Sequence, residues 1–132
     1  MLDKCLFINL FFLNYFMTRM WCVSPALLCR NHLLGFHKEI HQLVGEIAHK
    51  RSEKGRIFPV VHIEIKSMAF WHEECVKEML ARGYNHYSPI TMPDYTYLPQ
   101  EYIEAKVNPN ESIKDLKIRC EECRKRIENK KE

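Results

Sequence analysis

Apolar residues recur at helical spacing along most of the chain, and few residues interrupt that pattern. The 132 residues include only four glycines and six prolines, fewer than an all-β domain with many tight turns requires. Hydrophobic residues make up 46% and charged residues 28%, which is typical of a globular protein and not of a disordered or collagen-like one. The sequence therefore predicts a mainly α, single compact helical domain, since the length leaves no room for two full domains.

Three segments have the periodicity of amphipathic helices. The spacing predicts helices over 25–47, over 67–82 and over 111–129. Ser67 is the expected N-cap of the middle helix and Gly83 its C-terminal stop, and Asn110 is the expected N-cap of the last helix.

The segments between these helices are of two kinds. Residues 57–66 are rich in β-branched side chains, which is compatible with a short strand or an extended connection. Residues 84–110 contain four prolines and five of the six tyrosines. They predict a long Pro/Tyr-rich loop with one helical turn after Pro99. Loops of this length in a compact domain are uncommon and are often functional.

Residues 1–16 differ from the rest of the chain, because 12 of the 16 are apolar. One interpretation is a transmembrane helix, but the apolar stretch is shorter than the roughly 20 residues that cross a membrane. A second is a secretory signal, but no small-residue cleavage site follows the stretch. A third interpretation is that translation begins at Met17. We therefore divide the chain into an N-terminal extension, 1–16, which is either removed or wrongly assigned, and a domain, 17–132.

Six cysteines occur at irregular spacing, and we expect them to be reduced and mostly buried rather than to form a disulfide framework. Cys120 and Cys123 form a CxxC pair without a second such pair. They belong to a stripe with heptad-like spacing, which favours core packing as their role. The stripe consists of Ile113, Leu116, Cys120, Cys123 and Ile127.

A metal site is a competing interpretation for a second group of residues. Cys29, His32, His37 and His41 lie close in the sequence, and the last two are one helical turn apart, as in zinc sites. However, the helical spacing does not bring all four to one point, and the segment HKEIH is not the HExxH zinc motif. We therefore expect no metal.

Five motifs in register give the chain a family resemblance. The first two are Met17-Thr18-Arg19 and the segment 28–40, which contains LCRNHLLG at 28–35 and HKEI at 37–40. ARGYN at 81–85, LPQEY at 98–102 and PNESI at 109–113 support them. With Met17 as the first residue, this order resembles the pyrimidine dimer DNA glycosylase family of the phage endonuclease V type. The resemblance covers roughly 17–128.

The resemblance implies a DNA repair enzyme that removes cyclobutane pyrimidine dimers from double-stranded DNA and then cleaves the strand as an abasic-site β-lyase. Thr18 would provide the nucleophile as an N-terminal α-amine, and Glu39 the catalytic carboxylate. An α-amine suits this task because its pKa of about 7.7–8.0 leaves more of it neutral at pH 7 than a lysine amine. The resemblance further implies a cytoplasmic, nucleoid-associated monomer that needs no cofactor and no membrane.

Four further residues are predicted to bind DNA or to orient the site, namely Arg19, His32, Lys38 and Gln42. The phage members have arginine at the positions of Lys38 and Gln42, and arginine binds phosphate more specifically than either residue. They also end in an aromatic-basic tail, whereas this chain ends in IENKKE. The lyase chemistry is thus better supported than recognition of the dimer.

Two alternative functions fit the same sequence. One is a non-catalytic helical DNA-binding domain that uses the basic residues of 50–56 and 124–131. The other is a small zinc-binding helical protein built on the cysteine and histidine residues named above.

Overall fold

The computed structural model describes residues 19–85 and 88–130. Six α-helices lie within these ranges, together with 3-10 turns at Pro25–Leu27 and Ile65–Ser67, and the described residues contain no strand. The mainly helical single domain expected from the sequence is thus confirmed. The helices are α1 (Arg30–Ala48), α2 (Lys54–Ile57), α3 (Met68–Ala81), α4 (Gln100–Ile103), α5 (Pro109–Arg119) and α6 (Glu121–Asn129).

Helix α1 is the central element, and it begins later than its periodicity predicted. Cys29 is its N-cap, where the sulfur accepts a hydrogen bond from the backbone N–H of His32. Pro25–Leu27 forms a separate 3-10 turn. Gly35 does not interrupt the helix, because the apolar face packs on both sides of it. That face consists of Leu33, Phe36, Ile40, Leu43 and Ile47.

Helix α3 packs directly against α1, and its two ends agree with the sequence prediction. Ser67 occupies the N-cap position. Gly83 follows the last turn with φ +88°, a left-handed conformation that glycine adopts without steric cost. The buried face consists of Met68, His72, Cys75 and Met79.

The last predicted helix is in fact two helices. Asn108, not Asn110, caps α5, and its side-chain oxygen accepts hydrogen bonds from the backbone N–H groups of residues 110 and 111. The chain leaves helical geometry at Cys120, with φ −136° and ψ 111°, and the Cys120 sulfur then caps α6. The prediction of one continuous helix was therefore wrong, because heptad-like spacing does not reveal a break when a buried residue occupies the break point.

The connections also differ in detail from expectation. The basic segment after α1 contains the one-turn helix α2, where Arg56 is buried and paired with Glu46 and Glu53. Residues 61–64 form an extended connection, and the backbone N–H of Met20 donates to the His62 carbonyl at 2.6 Å. The long Pro/Tyr-rich loop contains α4 directly after Pro99, as predicted.

No helix in the described part of the chain is long and apolar enough to cross a membrane. The interpretations of residues 1–16, and the position of Thr18, fall outside the described residues.

Candidate functional site

Arg19, the first described residue, is a buried cation in a fixed position. Its guanidinium lies 3.3 Å from a carboxylate oxygen of Asp115 and 3.3 Å from the Ser112 hydroxyl, and it stacks on the Trp21 ring at 3.9 Å from the centroid. Burial lowers its pKa, and Asp115 opposes that effect. The Arg19 Nε atom is buried and has no acceptor among the described residues.

Glu39 lies on α1 within electrostatic range of Arg19. Loss of solvation raises the pKa of its carboxyl to about 8, although the positive charges of Arg19 and Arg56 partly offset that rise. A carboxyl with such a pKa is present in both protonation states near neutral pH, which is the property required of a group that both donates and accepts protons.

Arg19 also lines an open cavity of about 710 Å³. His62, Lys106, Glu111 and Asp115 also line this cavity. Burial lowers the pKa of His62 to about 4, so its ring is neutral at pH 7. Glu39 is not among the described residues that line the cavity. Arg19 is the described residue that both lines the cavity and lies within electrostatic range of Glu39.

The other predicted site residues lie in different environments. Lys38 and Gln42 are exposed on α1, and the Gln42 amide donates to Glu46 at 3.2 Å. His32 is 5% exposed, and its ring stands edge-on to Trp21 with the centroids 5.5 Å apart. The structure thus brings Arg19 and Glu39 together, and it turns His32 toward buried sulfur atoms.

Those sulfur atoms belong to a buried group of four residues, the Cys–His cluster, which consists of Cys29, His32, Cys120 and Cys123. Their four ligand-type atoms lie within 4.8 Å of one another. Cys22, Cys29, Cys75 and Cys123 are reduced, as expected, whereas Cys120 forms a disulfide bond, which was not expected.

Backbone and side-chain donors converge on the sulfurs of this cluster. The N–H groups of Cys29, His32 and Cys123 each point at a sulfur of the cluster, at 3.2–3.4 Å. The hydrogen bond between the two thiols lowers the pKa of Cys29 and raises that of Cys123, as expected when neighbouring groups share a proton.

A second group, the histidine triad, consists of His37, His41 and His72. Their Nε2 atoms form a triangle with sides of 3.1, 3.2 and 3.2 Å. His72 was missed at the sequence level because it lies 35 residues from His37 and belongs to α3. Its Nδ1 lies 3.0 Å from a carboxylate oxygen of Glu73.

The four residues considered as one metal site in the sequence therefore divide between two clusters. Cys29 and His32 join Cys120 and Cys123, while His37 and His41 join His72. In the sequence, the spacing CxxH at 29–32 and the spacing CxxC at 120–123 were the signals that could have indicated the first cluster. Neither spacing alone indicated that they meet, because more than 90 residues separate them.

Comparison with known protein families identifies the chain. The family model for the pyrimidine dimer DNA glycosylases matches residues 17–92, more than half of the sequence, and the chain therefore belongs to this family. The match is shorter than the 17–128 expected from the motifs, and α4–α6 lie outside it. Neither the curated proteins nor the solved structures include a significant match to this chain.

Proposed function

We propose that this protein is a DNA glycosylase with linked abasic-site lyase activity on double-stranded DNA that contains damaged pyrimidines. The α-amine of Thr18, exposed when the chain begins at Met17 and that methionine is removed, attacks C1′ of the damaged nucleotide. The bond from C1′ to the base breaks and the nitrogen takes its place. The C1′–O4′ bond then breaks, O4′ takes up a proton as the nitrogen gives one up, and the opened sugar is left as an imine. Loss of a proton from C2′ then expels the 3′ phosphate and cleaves the strand.

The environment of Glu39 is the observation that supports this proposal most directly. As positive charge develops on the sugar, a nearby carboxylate stabilises it, and the raised pKa of Glu39, about 8, suits proton transfer near neutral pH. Arg19, the residue after Thr18 in the sequence, lies within electrostatic range of this carboxyl. Membership of the pyrimidine dimer DNA glycosylase family supports a DNA substrate.

Three of the remaining predicted residues fit DNA contacts in this scheme. The buried Nε of Arg19 lacks an acceptor among the described residues, and an oxygen of the bound nucleotide would satisfy it. Lys38 and Gln42 are exposed next to Glu39 along α1, where they would contact phosphates. The open cavity beside Arg19 has the size to receive a nucleotide turned out of the duplex. We further propose that the protein acts as a monomer and that it is located in the cytoplasm, associated with the nucleoid when it is bound to DNA.

Borohydride trapping tests the chemistry, because it reduces an imine to a stable adduct. The chain started at Met17 would be mixed with duplexes that contain either a cyclobutane dimer or an abasic site, and a chain started at Met1 is the matched control. We expect adducts at Thr18 with both duplexes for the first chain and none for the second, in which Thr18 has no free amine.

The possible failures have separate meanings. Adducts on abasic DNA alone would contradict the proposed dimer specificity and retain the lyase. The absence of any adduct with a folded, Met17-processed chain would contradict the enzyme and favour a DNA-binding domain without catalysis. An adduct that maps to a lysine would contradict the role of Thr18.

A further inference from the structure

The Cys–His cluster has the geometry of a zinc site. A tetrahedral zinc ion with Zn–S bonds of about 2.3 Å and a Zn–N bond of about 2.0–2.1 Å separates its sulfurs by about 3.8 Å and sulfur from nitrogen by about 3.6 Å. In the structure, the Cys29 and Cys120 sulfurs are 3.8 Å apart. The His32 Nδ1 atom is 3.3 Å from the Cys29 sulfur and 3.5 Å from the Cys123 sulfur.

The local backbone also matches the requirements of thiolate ligands. Cys29 and Cys120 each occupy an N-cap, and each sulfur accepts the N–H of the residue three positions later. A neutral thiol is a weak acceptor, whereas a metal-bound thiolate is stabilised by such donors. All four residues are buried, so water does not compete for the central position.

We propose that the reduced protein binds one structural zinc ion through Cys29, His32, Cys120 and Cys123. The ion would tie the start of α1 to the junction of α5 and α6 and so hold the two ends of the described chain together. Because Cys120 forms a disulfide in this structure, a thiol reductant must first supply the two electrons that release its sulfur. The proposal gives His32 a ligand role in place of the DNA contact predicted from the sequence.

Metal content of the full chain, purified with a thiol reductant, tests this site. Cys123→Ala removes a ligand, and Cys75→Ala is the matched control, because Cys75 is equally buried but belongs to neither cluster. We expect the Cys123 variant to hold one zinc ion fewer per chain than the Cys75 variant. Equal zinc contents would overturn the proposal.

A second measurement covers the case in which the Cys123 variant does not fold. Cobalt replaces zinc in tetrahedral sites, and thiolate ligands then produce an intense sulfur-to-cobalt charge-transfer absorption. We expect this absorption in the unmutated, reduced chain, saturating at one ion, and expect it to disappear when zinc is added. A cobalt-treated chain without the absorption would overturn the proposal without any variant.

The histidine triad supports a second site on independent grounds. A neutral imidazole Nε2 is either a donor or an acceptor, and three mutually adjacent atoms of two kinds must include at least one like pair. Hydrogen bonds among His37, His41 and His72 therefore cannot satisfy all three contacts. A cation at the centre satisfies them together, because each Nε2 then directs its lone pair at the ion.

The distances and the neighbouring carboxylate agree with this arrangement. Ligand nitrogens at about 2.0–2.1 Å from a tetrahedral zinc ion are about 3.4 Å apart, close to the 3.1–3.2 Å in the triad. Glu73 accepts from Nδ1 of His72 at 3.0 Å, which leaves Nε2 as the lone-pair atom, as in carboxylate–histidine–zinc sites. We infer that the triad binds a zinc ion.

A protonated His72 is the competing arrangement, since its Nε2 also lies 2.9 Å from the Ser88 carbonyl oxygen. His41→Ala distinguishes the two, and His49→Ala is the matched control, because His49 is the C-cap residue of the same helix and lies outside the triad. We expect the His41 variant to hold one zinc ion fewer than the His49 variant. Equal metal contents in the two folded variants would overturn the inference and favour protonation.

Discussion

Helix α1 buries polar groups on two opposite faces, and the two faces differ in how those groups are arranged. His37 and Glu39 are roughly 200° apart around a helix with 3.6 residues per turn. On one face a single carboxyl is desolvated, and its pKa is raised to about 8. On the other, three imidazole nitrogens meet within 3.2 Å.

The difference teaches what burial does to ionisable groups. The partly buried carboxyl of Glu39, with only partial compensation from Arg19 and Arg56, responds by holding its proton, and this property suits it to proton transfer. Three imidazole nitrogens in contact are satisfied together by a shared cation, as proposed for the triad. Under the two proposals, one helix provides a proton-transfer group on one side and a metal-binding group on the other.

The largest expected effect comes from removing the carboxylate on the first face. Glu39→Gln keeps the shape of the side chain but not its proton transfer, so we expect lyase turnover to fall at least about 100-fold. DNA binding should change by no more than a few-fold, measured by fluorescence anisotropy beside single-turnover strand cleavage. Glu101→Gln, an exposed glutamate on α4, is the control. Unchanged turnover in the Glu39 variant would remove that residue from the mechanism.

The next effect is the stabilisation of the fold by the proposed zinc ions, which should not depend on Glu39. A chelator should lower the melting temperature of the reduced chain by at least about 5 °C, because a bound structural ion stabilises only the folded state. The decrease should be the same in the Glu39→Gln variant, because Glu39 belongs to neither cluster and lies roughly 200° around α1 from His37. Calorimetry with and without chelator measures it. A melting temperature indifferent to chelation would contradict both metal sites.

A smaller effect is expected in the pH dependence of stability. The folded-state pKa of Glu39, about 8, lies above its usual 4.5, so between these values the folded chain holds a proton that the unfolded chain releases. The free energy of unfolding should therefore fall as pH rises from 5 to 8, by on the order of a few kcal/mol at most. Glu39→Gln should show a smaller decrease, the remainder coming from Glu53, whose pKa burial raises to about 7, and it should be the more stable protein at pH 8. Urea unfolding of both chains at pH 5 and pH 8 measures these free energies. An equal change between the two pH values in both chains would contradict the raised pKa of Glu39.

The smallest effect is expected at Lys38, which is exposed next to Glu39 on α1. Lys38→Ala should weaken DNA binding similarly for all sequences and reduce the slope of log affinity against log salt by about 0.9, the loss of one phosphate contact. Lys77→Ala, an exposed lysine on α3, should leave the slope unchanged. If both variants lower the slope equally, the contact is not specific to α1.

Much of the fold followed from short-range signals. Helical periodicity located α1 and α3, and Ser67 and Gly83 marked the ends of α3, because capping and left-handed turns depend on neighbouring residues only. The same reasoning failed at Cys120. Its burial matched the helical stripe, so the stripe did not reveal the break in the helix. Its sulfur also lies 3.8 Å from the Cys29 sulfur, a contact across 91 positions that no local pattern indicates.

The sequence by itself determined the helical class, the family and the candidate carboxyl, because periodicity and motif order are properties of the linear chain. The tertiary structure decided which residues meet. Cys29 and Cys123 are 94 positions apart, and His37 and His72 are 35 apart; each pair is in contact only because packed helices bring distant segments together. The raised pKa of Glu39 has the same origin, since desolvation is set by what packs around a group and not by its neighbours in sequence.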